Sequence, residues 1–113
     1  MNDFVFIVDD VFYISGKGTV VTGMVVKGSI VINQTAYVCQ EDGRLLETTI
    51  SGIEMFRKKC SEVFEGTSCG LLLMDTERCD VAKGCYIFGS IPQGYVAHSE
   101  SGIKKSWFQK LFQ

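Results

Sequence analysis

A chain of 113 residues with 46% hydrophobic and 21% charged side chains can bury one compact core and is too apolar for a long disordered segment. Eleven basic against thirteen acidic residues give a net charge of -2, so no global positive field draws in a polyanion, and any nucleic-acid contact must be local. Cys39, Cys60, Cys69, Cys79 and Cys85 are odd in number and never spaced CxxC, which argues against a disulfide framework and a zinc ribbon and reads as reduced, mostly buried thiols.

Met1-Asn2-Asp3-Phe4 opens without a basic stretch leading into an apolar run, and no window of about 18 apolar residues occurs, so the sequence reads as cytoplasmic. Phe4 to Val8 and Val11 to Ser15 read as two short strands split by Asp9-Asp10. Gly16-Lys17-Gly18 predicts a tight reversal into a β-branched strand, Thr19 to Val26, and Lys27-Gly28 predicts a second reversal into Ser29 to Val38. Glu41-Asp42-Gly43 is a turn signal, and Leu45 to Arg57 then alternates, with Ile50, Gly52 and Glu54 on one face and Ser51, Ile53 and Met55 on the other. A turn at Glu65-Gly66 leads into a strand over Ser68 to Met74, a helical turn within Asp75 to Lys83, and a last strand over Cys85 to Ser90.

Short strands at this spacing, many glycines and one proline predict an all-β fold, a small closed or nearly closed antiparallel β-barrel over residues 1–92. Residues 93–113 read as an irregular linker and a basic, aromatic tail. Its stripe is Ile103, Trp107 and Leu111 at i, i+4 and i+8, flanked by Phe108 and Phe112, with Lys104 inside the apolar arc and Lys105 and Lys110 at its borders. A helix so short is marginal alone, so ordering it needs docking onto the barrel, a partner or a membrane surface.

Gly16-Lys17-Gly18-Thr19 is not a phosphate loop, because GxxxxGK[ST] needs glycine at position 11 and a hydroxyl at position 18, where Val11 and Gly18 stand. His98 is the sole histidine, in a polar stretch with no second ligand near it. No Ser-His-Asp, Cys-His or paired-carboxylate arrangement has interpretable spacing. The sequence therefore predicts a non-enzyme with no metal, no cofactor and no GTPase activity.

Val11-Phe12-Tyr13-Ile14-Ser15-Gly16-Lys17-Gly18-Thr19-Val20-Val21-Thr22-Gly23 closely resembles the strand-turn-strand signature that opens the second β-barrel domain of translational GTPases such as elongation factor Tu. Ser51-Gly52-Ile53-Glu54-Met55-Phe56-Arg57-Lys58 resembles that domain's second hallmark and Gly70-Leu71-Leu72-Leu73 its third, in the same order, over about residues 3 to 91. The resemblance implies a stand-alone domain 2 lacking the GTPase domain. It implies that Ile14, Val20 and Leu72 sandwich the terminal adenine of an RNA 3′ end and that Glu54 meets its ribose. Arg57 would then contact that end through its backbone amide, and Asp10 would line the amino-acid side.

Other positions depart from the family. Met24, Val26 and Met74 stand where members usually carry Arg, Glu and Arg, and Ser68 replaces an Asn. The leading expectation is a non-catalytic module that binds an RNA 3′ end, tRNA or ribosomal RNA weakly. The alternatives are a protein-interaction adaptor that has lost RNA binding, and a partner- or membrane-tethered protein acting through its tail.

Overall fold

Strand-forming residues dominate residues 3–92, the part of the chain that the computed structural model describes. They build β1 (Phe4–Ile14), β2 (Gly18–Val31), β3 (Thr35–Cys39), β4 (Leu45–Met55), β5 (Lys58–Cys60), β6 (Glu62–Phe64), β7 (Ser68–Leu73) and β8 (Tyr86–Phe88). One 3-10 turn, Arg78–Asp80, sits between β7 and β8. The chain is all-β, as the sequence predicts.

Six of these strands form a ring in the order β1, β8, β3, β4, β7, β2, and β2 pairs back onto β1. Every neighbour is antiparallel, so the ring closes without a free edge. The two short strands attach outside it, β5 on β4 and β6 on β2. Inward-facing Phe4, Phe6, Val21, Val25, Ile30, Ile50, Leu71, Leu73 and Ile87 are each at most 2% exposed and fill the interior.

Three buried threonines cap one end. The Thr19 hydroxyl donates to the Thr76 carbonyl at 2.6 Å and the Thr48 hydroxyl to the Met74 carbonyl at 2.7 Å. Thr76 Oγ1 lies 3.0 Å from Thr48 Oγ1, so the buried hydroxyls are satisfied by one another and by the chain leaving β7.

Several predicted elements fall differently. Asp9-Asp10 does not split two strands: β1 runs through it with a register shift between Val8 and Asp10, which lets Val8 and Val11 both point inward. Lys27-Gly28 is not a reversal. Gly28 has φ +76°, but it stays within β2 as the partner of Phe4, where a Cβ would collide with the Asp3 carbonyl; the irregularity beside it, opposite Val5 and Phe6, falls at Val26. The actual turn lies at residues 32–34, with Asn33 at φ +70°.

The faces assigned to β4 also change. A register shift between Ile50 and Gly52 puts Ile50 and Ile53 inside, at 0% and 2% exposure, while Gly52 and Glu54 face out. In β7, Leu71 and Leu73 are core and Leu72 points away from it, as period-2 alternation requires. β5 and β6 had no signal strong enough to separate them from turn. His98 and the tail residues Ile103, Trp107, Phe108, Leu111 and Phe112 lie outside the described residues.

Since the core cluster runs from Phe4 to Ile87, deleting everything after Gly102 is expected to leave a cooperative melt. Leu71→Ala, by contrast, should cost about 2–5 kcal/mol in urea denaturation.

Candidate functional site

Where β2, β7 and β4 lie side by side, their outward residues form a groove of about 850 Å³ on the outside of the barrel. Its floor is open because Gly70, facing out on β7 between Thr22 and Glu54, has no side chain. A Cβ placed there would meet nothing closer than Val20 Cγ1 at 3.8 Å. Gly52 is bare for a different reason: a Cβ would press on Leu72 Cβ at 3.3 Å, so the glycine lets Leu72 lie across β4.

Val20 and Leu72 are cross-strand partners, and both are half-buried on the outer face. Ile14 joins them from the end of β1 and is 43% exposed. None of the three belongs to the core cluster. They are apolar side chains whose outer surface the barrel leaves uncovered, which is what a planar ligand face needs.

Polar groups ring these walls. Glu54 faces out on β4 opposite Gly70 on one side and Lys59 on the other. Phe56 and Arg57 form the two-residue turn between Met55 and Lys58, with φ of +52° and +65°. Left-handed backbone is costly for bulky side chains and persists only where neighbours impose it. Here it presents Phe56, 87% exposed, and Arg57 at the groove rim. Lys17 enters from the β1–β2 turn, so Lys17, Arg57 and Lys59 outnumber the lining carboxylates Asp9 and Glu54. An acidic chain thus carries a locally cationic groove.

Five of the six residues that the sequence singled out, Ile14, Val20, Glu54, Arg57 and Leu72, come together in this groove. Asp10 does not. Its carboxylate pairs with Lys83 Nζ at 3.2 Å, away from the groove, and Asp9 lines it instead, because the β1 irregularity turns the two aspartates in different directions. Sequence reasoning passed over Gly70, Lys17, Lys59 and Phe56 as site residues. The available signal was an outward glycine within a strand, which marks close approach by something else.

Two thiols lie at the groove, Cys60 half-buried at its wall and Cys69 beneath it in the core. Burial, with the Cys60 thiol alongside, pushes the Cys69 thiol up to about 11, so it stays protonated and unreactive at neutral pH. All five cysteines are free. Among the described residues no three His, Cys, Asp or Glu side chains converge to hold a metal ion.

A sequence model of the elongation factor Tu domain 2 family matches residues 18–88, from the first residue of β2 to the last of β8. That is more than half of the chain, which therefore belongs to the elongation factor Tu domain 2 family, a non-catalytic β-barrel domain.

Because Leu72 walls the groove rather than the core, Leu72→Ala should cost less than half of what Leu71→Ala costs in the same denaturation experiment. At neutral pH a thiol alkylating agent is expected to label exposed Cys79 rapidly, and Cys69 only on unfolding, as mass spectrometry of digests would show.

Proposed function

We propose that this chain is a non-catalytic RNA-binding module whose outer groove holds the terminal nucleotide of an RNA 3′ end, as on tRNA. The observation that carries this reading is the convergence of Ile14, Val20 and Leu72, all outside the core, with Glu54 and three cations around one groove. Apolar walls take the two faces of a base, a carboxylate accepts hydrogen bonds from ribose hydroxyls, and Lys17, Arg57 and Lys59 meet the flanking phosphates. With only these cations and a chain at -2, affinity is modest and salt-dependent.

A second reading, a protein-interaction adaptor, is favoured by Met24, Val26 and Met74. These are 41%, 47% and 46% exposed, lie outside the groove, and present apolar surface to solvent. Capture from native lysate, with RNA and protein scored separately, distinguishes the two.

Titration with a short CCA-ended oligonucleotide tests the first reading. Glu54→Ala is expected to weaken binding about tenfold through lost ribose hydrogen bonds. Gly70→Val, whose Cβ meets only ordinary van der Waals contacts, fills the floor and should abolish it, with circular dichroism checking that the fold is kept. A log–log salt slope of about -2 is expected if all three cations engage phosphates. No binding by the wild-type chain at low salt would overturn the RNA reading and leave the adaptor.

A further inference from the structure

Next to the groove around the ring, β1, β8 and β3 with the adjoining part of β2 carry a second apolar surface. Register aligns its side chains into two rows. Ile7 pairs with Met24 on one side and Tyr86 on the other, and Phe88 pairs with both Val5 and Tyr37. Tyr86 and Met24 are 44% and 41% exposed, and the Tyr86 and Phe88 rings stack with centroids 6.2 Å apart. Lys27, opposite Val5, and Glu47, opposite Tyr37, bound the second row, and the contiguous apolar face between them is of the kind that marks a contact.

The chain leaves the described region beside this face. Gly89 donates its N–H to the Phe4 carbonyl at 3.0 Å, and Ser90 Oγ donates to Asp3 Oδ1 at 3.0 Å, which pins the exit to the start of β1, next to the Val5 and Phe88 row. Twenty-one residues, 93–113, follow. Residues 93–102 span at most about 33 Å when extended. The stripe from Ile103 to Phe112 would measure about 15 Å as a helix, and four strands at their normal spacing are about 14 Å across.

We infer that the outer face built by Ile7, Met24, Tyr86 and Phe88 is the docking site for the chain's own C-terminal segment, residues 103–112. Tethering through so short a linker gives a local concentration in the millimolar range, so a modest apolar contact suffices. Charge agrees with this occupant. Three lysines against Glu100 make residues 93–113 net +2, which leaves -4 on residues 1–92 of a chain at -2. A second copy would instead set two acidic barrels face to face.

Trp107 is the only tryptophan, so its fluorescence in the full chain reports the contact directly. The expected result is emission blue-shifted and shielded from acrylamide relative to a synthetic peptide of residues 93–113, independent of protein concentration. Tyr86→Lys and, separately, Met24→Lys should move the emission to the peptide's value while far-ultraviolet circular dichroism keeps the β signature. Tyr86→Phe should leave it unchanged. Emission equal to the peptide's in the wild-type chain would overturn the inference, as would a blue shift that both lysine variants retain. A shift that grows with protein concentration would assign the face to a second copy, and one seen only with anionic vesicles would assign the segment to a membrane; either overturns it. RNA titration of the same variants keeps this outcome separate from that of the groove.

Discussion

Two slips of register, one in β1 and one in β4, are what the rest of this barrel depends on. A β-strand turns alternate residues to opposite faces, so a long strand that contributes to a closed core must send every second residue outward. Between Val8 and Val11, and again between Ile50 and Ile53, this rule is broken by one residue, and both ends of each interval face the core. Asp9, Ser51 and Gly52 are left on the outside, and all three line the groove. The irregularities that let the core be apolar on both sides of a bend therefore also generate polar and small residues at the groove wall.

The groove's shape follows from the same economy of side chains. Ser51 Oγ donates to the Leu72 carbonyl at 3.2 Å and so ties the slipped segment of β4 to β7. Gly23, on β2 opposite Val8, has no room for a side chain at all, since a Cβ would collide with the Ile7 carbonyl. Tight approach at Gly23 draws β1 onto β2 and closes the ring, whereas the bare surface at Gly70 leaves space above β7. One glycine serves closure and the other serves vacancy.

Much of this architecture was legible in the sequence because strand chemistry and turn chemistry are local. The β-branched run after Gly18, the Asp42-Gly43 turn and the polar interval after Met74 each announce themselves within a few residues. Register slips do not, because their cause lies on a neighbouring strand: nothing local to Asp9-Asp10 distinguishes a bulge from a break, and nothing local to Lys27-Gly28 distinguishes positive φ within a continuing strand from positive φ in a turn. Simple alternation along β4 groups Ile50 with Gly52 and Glu54, whereas the slip turns Ile50 inward with Ile53. Asp10 was drawn into the site by resemblance to a motif, and only the geometry of β1 shows that Asp9 faces the groove while Asp10 reaches Lys83.

Separating the residues that hold the fold from those that line the groove has a physical consequence. In β7 the assignment alternates residue by residue: Cys69, Leu71 and Leu73 fill the interior, while Ser68, Gly70 and Leu72 face the groove side. Substitutions on the outer set change what the groove can hold at little cost to packing, because stability resides mainly in close-packed interior volume. The exposed methionines and valine at positions 24, 26 and 74 fit the same logic, since apolar side chains on the outer face neither help nor hinder the core. A closed ring with its core fully internal thus leaves its outer faces open to change, and the cationic groove and the aromatic face, which meet where Met24 pairs with Ser68, are built from separate sets of side chains.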